Sequence, residues 1–518
     1  MRRIRRLLVV IGVAAFATAG LAGVAQGSAP RQSGTGGTLR VGADLSLGEI
    51  QFDLMKVQVV GTSFHNLVYG TLLRMTPSGE VVPDLAKSVT VVDPSTIKVA
   101  LKPNLKFTDG TPVDAAAYKF SIERMINEAL PGGKEAEVNQ IASVTVDSPL
   151  EFTLALKTPI AGAITRLMRL CEVGCPTSPT AVQNGTDFST NPVGAGPYKL
   201  KSNVPGQEIV LEKNPDYWDA KHVKVGTIQY KNVPGSATVT ALTGNQTDLA
   251  PFLSLIQAGE LAGAPNIKTT TLSTDNSMLM GHMCKNRPPF DDVKVRQALS
   301  YATDRDDLNE KLFQGKGEDM WGWFKSTSAN HDPKLDGYYE YNIKKAKKLL
   351  AEAGQSDLTF DVGFTPGVGD SETGAQIIQQ QWSKAGVKVN LVPLTNQTDF
   401  FPDGTKVPMY FFALQRAGIP KVSRILVPGS FGDVCNWDDP ELTALVTQAQ
   451  GLADGSPELA KVWHDISKRT LETAAVVPAL FGTQSYAYNT GTVKKIAINE
   501  GRTGIPELYV WGTQLKSS

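Results

Sequence analysis

Pro289-Phe290-Asp291-Asp292-Val293-Lys294-Val295-Arg296-Gln297-Ala298-Leu299-Ser300-Tyr301-Ala302-Thr303-Asp304-Arg305 reads as a turn, a short amphipathic helix and the cap of a second helix. Val295, Ala298, Leu299 and Ala302 share one face at helical spacing, Asp304 is a good N-cap, and Gly315 stands where the second helix should stop. Downstream, Ile343, Ala346, Leu349, Leu350 and Ala353 form another apolar stripe, closed by Gly354. Leu358 to Phe364 and Val387 to Val392 are apolar runs of strand length around a helical stretch, Gly374 to Ala385. Strand, helix and strand in that order predict a βαβ unit. Upstream the period changes. Ile97, Val99 and Leu101, then Phe152, Leu154 and Leu156, alternate with polar residues as half-buried strands do. Thr111 and Pro112 predict a helix opening there, with Thr as cap, and running to about Ala129, where Pro131-Gly132-Gly133 stops it. No repeat of fixed period occurs, so the expected class is mixed α/β with at least two lobes.

The ends and the composition narrow the function. Arg2, Arg3, Arg5 and Arg6 precede an apolar run from Leu7 to Ala25, the layout of a secretory signal over residues 1–29, with cleavage after Ala25 or Ala29. An uncleaved anchor is the competing reading, since about 20 apolar residues span a bilayer. No cysteine stands in this region, which removes the usual lipoprotein attachment site and favours a free periplasmic or extracellular protein. Residues 30–38 read as a flexible leader. Lys plus Arg equals Asp plus Glu at 51 each, so the chain has no basic excess to hold nucleic acid. Four cysteines allow three pairings. Cys171 and Cys175 can close a tight loop, leaving Cys284 with Cys435; a zinc site competes, but no His stands at ligand spacing.

Four blocks then carry a family resemblance. They are Tyr69-Gly70-Thr71-Leu72-Leu73 with Pro83-Asp84-Leu85-Ala86 and Phe107-Thr108-Asp109-Gly110-Thr111-Pro112; Asn191 to Tyr198 with Asn214-Pro215-Asp216-Tyr217-Trp218; Pro289 to Arg305; and Ala346 to Gly354. In order and spacing they resemble the family-5 extracellular solute-binding proteins, the dipeptide, oligopeptide and nickel receptors of ABC importers. Each block read alone is scaffold: turns, caps and, at Tyr217 and Trp218, buried rings. The resemblance implies a two-lobed periplasmic-binding-protein fold, type II-like and of cluster C, with an extra domain in the N-terminal lobe. It places lobe I at 39–75, 191–282 and 480–518, the inserted domain at 76–190, and lobe II at 283–479. It also implies a peptide or other small ligand caught between the lobes by hinge closure, permease subunits as partners, a monomer, no cofactor and no catalysis.

One stretch departs from the pattern. Peptide-binding members carry an aspartate for the ligand's amine, and the matching segment Tyr410 to Arg424 holds no acid. Arg416, Lys421 and Arg424 stand there instead, so the ligand expected is an anionic or amine-blocked one gripped by Arg416 or Arg424, unless Asp433 supplies the acid. Tyr410 and Gly418 of this stretch, and Trp323 beside Trp321 and Phe324, complete the expected contacts. A hydrolase is the enzyme alternative, but neither Gly-x-Ser-x-Gly nor His-Glu-x-x-His occurs, and His65, His222, His282, His331 and His464 are scattered. Nickel or haem capture through Met278, Met280, His282 and Met283 is the metal alternative; these residues read more simply as core, and no metal site is expected.

Overall fold

The computed structural model describes residues 36–43, 45, 52–56, 62–129, 136–366, 369–394, 407–415, 420–428, 430, 432–433, 435–453, 455–499 and 507–516. The expected export segment and most of the expected leader lie outside them. Among the described residues, no helix is long and apolar enough to cross a membrane.

One mixed sheet of 11 strands runs through both lobes. On the lobe II side its order is Lys388–Pro393, Thr359–Phe364 and Met409–Gln415; on the lobe I side it is Leu249–Leu253, Thr38–Ala43, Thr227–Asn232, Glu208–Lys213 and Tyr198–Val204. Two long strands join them, Ile267–Met283 and Val477–Asn489, antiparallel to each other. Ile267 to Ser273 pairs with Asn489 to Thr483, the register shifts between Ser273 and Met278, and Met278 to Met283 pairs with Leu414 to Met409. The strand therefore changes neighbours along its length, pairing with Met409–Gln415 only in its second half.

Residues 76–190 hold a four-stranded antiparallel sheet in the order Ala86–Asp93, Thr96–Leu101, Glu151–Leu156 and Ile141–Ser148. Its apolar face is continuous with lobe I: Leu39, Phe52 and Leu67 share one core with Ile97, Phe152 and Met168. Its helix spans Ala115–Glu128 rather than starting at Thr111. Asp109 Oδ1 accepts from the Thr111 amide at 2.9 Å and holds a turn there, and Asp114 is the cap that accepts from the Ala117 amide. The family blocks are struts. Gly194 and Gly196 lie against the backbone of helix Thr62–Tyr69, where a Cβ on either would run into the Val68 or Leu67 carbonyl oxygens. Asp84, 1% exposed, accepts from the Tyr217 hydroxyl and from Trp218 Nε1 at 3.0 Å. Trp218 itself is 38% exposed, contrary to the buried ring expected, and the Lys102 ammonium lies 4.2 Å from its ring centroid.

Lobe II follows the sequence reading closely. Helices Val293–Ala302, Arg305–Phe313 and Ile343–Glu352 form, with Asp304 accepting from the Asp307 amide and Gly315 and Gly354 at positive φ just beyond the helix ends. Thr359–Phe364 and Lys388–Pro393 pair in parallel around helix Gly369–Ser383. Arg296 ties the Phe290, Thr473 and Ala474 carbonyls, and Arg305 those of Tyr339 and Pro478, so both arginines of the Pro289 block are clamps on backbone. Disulfides join Cys171 to Cys175 and Cys284 to Cys435.

Candidate functional site

The strand ends define the cleft. In lobe I the strands Thr38–Ala43, Thr227–Asn232 and Leu249–Leu253 are parallel, and the last runs alongside the second crossing strand, its carboxyl end at the Leu253–Ser485 pair. In lobe II, Met409–Gln415 runs alongside the first crossing strand and ends where Gln415 pairs with Ser277, while its parallel neighbour Thr359–Phe364 ends earlier, one residue past the Gly363–Tyr410 pair. The carboxyl ends at Leu253 and Gln415 thus lie at the middle of the crossing strands. In open α/β sheets ligands bind in the crevice beyond the carboxyl ends of strands.

The wall between the lobes is polar where an all-apolar strand would pack better. Gln484 is 2% exposed, and neither its carboxamide oxygen nor its nitrogen has a hydrogen-bond partner among the described residues. The Thr483 hydroxyl is in the same condition. Gln484 pairs with Leu272 and lies two residues from Tyr486; both of these pack on the core shared by lobe I and the inserted domain, so the Gln484 side chain points to that face. A buried amide left unpaired costs about 1–3 kcal/mol. Lys325, 2% exposed, lies against the same wall with Nζ 3.3 Å from the Gly482 carbonyl oxygen. Just past the carboxyl end of Thr359–Phe364, Asp370 stands at the start of helix Gly369–Ser383, and burial pushes its carboxyl up to about 6. On the lobe I side, Asp53 takes the Met55 amide at 3.1 Å and the Tyr69 hydroxyl holds the Phe52 carbonyl at 2.7 Å, fixing the segment that follows the first strand.

The residues expected from sequence are placed unevenly. Arg416 and Gly418 lie outside the described residues, as does the side chain of Arg424, whose backbone belongs to helix Pro420–Leu426. Tyr410 is buried near the start of its strand; at roughly 3.3 Å per residue it lies about 17 Å from Gln415. Asp433 is also distant, because it sits with Lys285, just beyond the end of the first crossing strand. Burial pushes the Lys285 ammonium down to about 7, Arg296 adds to the shift, and the charge of Asp433 opposes it. The acid thus faces a buried cation. Trp323 is wholly buried, with Nε1 donating to Thr470 Oγ1 at 3.0 Å, so its ring is part of the lobe II core. Gln484, Thr483, Lys325 and Asp370 were not foreseen. The available signal was Gly482-Thr483-Gln484-Ser485, a polar run inside the apolar stretch Val476 to Tyr488.

Of the residues named for the metal alternative, Met278, Met280 and Met283 are buried in the core. His282 is fully buried, which pushes its imidazole well below the ordinary range, and its Nε2 is 2.9 Å from the Gly432 carbonyl oxygen. Cys284 is closed in a disulfide, and among the described residues no group of three or more His, Cys, Asp or Glu is arranged to hold a metal ion.

Comparison with known proteins agrees with this geometry. The family model described as bacterial extracellular solute-binding proteins, family 5 Middle, matches residues 80–422. The glutathione-binding protein GsiB of Salmonella paratyphi A is 28% identical over 350 residues, and the match spans 65% of each chain. Among solved structures, the oligopeptide-binding protein AppA of Bacillus subtilis, in complex with a nonapeptide, superposes with a TM-score of 0.78 at 21% identity, covering 93% of this chain and 99% of that one. The binding protein AgaA of A. tumefaciens R10, in complex with agropinic acid, gives a TM-score of 0.78 at 22% identity, covering 93% and 99%. The strand ends meeting at two crossing strands, the shared fold and the length of the family match lead to one assignment: the chain belongs to the family-5 bacterial extracellular solute-binding proteins.

Proposed function

We propose that this chain, exported by its N-terminal segment, captures a small peptide-like solute between its lobes and delivers it to the permease of an ABC importer. It acts by hinge closure, as a receptor and not an enzyme. The observation that carries this reading is the unpaired Gln484 carboxamide on the strand that joins the lobes. A carboxamide offers a donor and an acceptor side by side, the pattern that an amide bond of a solute complements. Such a group gains its hydrogen bonds only when solute and wall meet, so binding and closure are coupled. Micromolar capture needs about 8 kcal/mol in total, which two or three such contacts plus apolar burial supply. The relatives support the class, since their named ligands are glutathione, a nonapeptide and agropinic acid.

A second reading rests on Lys325. A buried ammonium at the same wall favours a solute that also carries a carboxylate, with Arg416 or Arg424 as further anchors. The test is to denature the purified mature protein and identify the released small molecules by mass spectrometry. An amide-bearing solute supports the first reading, and an acid without an amide the second. Cleavage of added peptides by the pure protein would overturn both.

A further inference from the structure

Lobe II meets the inserted domain as well as lobe I. Helix Pro440–Gly451 of lobe II packs on helix Ala161–Leu167 of the inserted domain. The Gln450 carboxamide donates to Glu137 Oε1 at 2.8 Å, across 313 residues of sequence. Glu137 is itself buried, and Ser423, in helix Pro420–Leu426, approaches the same oxygen at 3.5 Å. Arg166 donates to the Leu452 carbonyl oxygen at 3.2 Å. Between these bonds the two backbones touch with no side chain between them: a Cβ on Gly162 would run into the Leu452 carbonyl oxygen, and one on Gly451 into that of Pro159.

We propose that this seam is a clasp that keeps the closed arrangement populated by protein contacts alone, and so sets the receptor's affinity without touching the solute. Both halves are built for contact with the other lobe. Neither glycine lies at positive φ, so its lack of a side chain serves the close approach rather than a turn. Glu137, a carboxylate with little access to water, takes its hydrogen bond from a residue that leaves with lobe II when the lobes part. Apparent affinity scales with the fraction of receptor in the binding-competent state, so each tenfold loss of closed population lowers affinity by up to about tenfold. The clasp does not depend on which solute is carried.

Single-molecule energy transfer tests it on the full mature chain, stripped of solute in denaturant and refolded with its disulfides intact. Dyes go on cysteines introduced at exposed Thr90 of the inserted domain and exposed Lys461 of lobe II. The wild type is expected to show a closed conformer without solute, and Gly162→Ala or Gln450→Ala to cut the closed-to-open ratio about tenfold. Gln450→Ala changes a partly exposed side chain and serves where Gly162→Ala does not fold. Gly235→Ala, where a Cβ meets nothing within 4 Å, is the matched control. No closed conformer in the solute-free wild type, unchanged ratios in variants that melt like the wild type, or an equal loss in Gly235→Ala would each overturn the proposal.

Discussion

At Asp84 a buried carboxylate has every neighbour it needs; at Gln484 a buried carboxamide has none among the described residues. Asp84 sits where the inserted domain joins lobe I, with Tyr217, Trp218 and Lys102 around it and the Arg74 guanidinium 4.2 Å from the Trp511 ring. Burial raises its carboxyl, and Arg74, Tyr217 and Trp218 pull the other way. Gln484 sits on the second of the two strands that join the lobes. The difference separates scaffold from function. A satisfied polar group fixes geometry, whereas an unsatisfied one is a place where a partner can be gained. Asp84, Tyr217 and Trp218 of the family blocks belong to the first kind, while Arg305 of the same blocks keeps a buried Nε with no hydrogen-bond partner among the described residues.

Replacing Asp84 tests the satisfied side and gives the largest expected effect. Asp84→Ala strands the Tyr217 hydroxyl and Trp218 Nε1 and removes the charge facing Lys102, so urea unfolding should show a loss of about 3 kcal/mol or more. A loss below about 1 kcal/mol would mean that this junction is not fixed by its carboxylate. Lys285 is intermediate, a buried cation with a partner. Its folded pKa, about 7, lies below the unfolded value, so between the two the unfolded chain binds more protons and stability rises with pH. From pH 7 to pH 9 this group should add about 2 kcal/mol to the wild type, and Lys285→Met should lack that rise. Parallel urea midpoints for the two chains would contradict the assignment. Gln484→Leu has the smallest effect on stability, expected to be unchanged or raised by about 1 kcal/mol because an unpaired amide is replaced by an apolar group of similar size. A marked loss of stability would place a partner on that carboxamide.

Lobe II was the most legible part of the sequence. Val295, Ala298, Leu299 and Ala302 pack locally, Asp304 caps the next helix, and a βαβ unit needs only neighbours close in sequence. The crossing strand Ile267–Met283 was not legible, because its two halves serve different environments. Its first half is rich in threonine and pairs in lobe I, and its second is rich in methionine and is buried in lobe II, so no single period runs through it. The surroundings of the candidate site residues were not legible for a related reason. Tyr410, Asp433 and Trp323 are residue types that often bind ligands, yet each finds its environment through contacts distant in sequence: Tyr410 beside His282, Asp433 beside Lys285, Trp323 against Thr470. The helix cap at Asp114 in place of Thr111 shows the same limit at short range, since Asp109 had already engaged the threonine amide.

The central claim is that a small solute binds at the crossing-strand wall, with Gln484 reading its amide. Calorimetric titration of the solute released from the purified protein, run on the stripped wild type and on Gln484→Leu, tests it most directly. The account predicts one site per chain in the wild type and a loss of affinity of about tenfold or more in the variant, with unfolding stability retained. Equal affinity in the two chains, or no binding by a well-folded wild type, would contradict it.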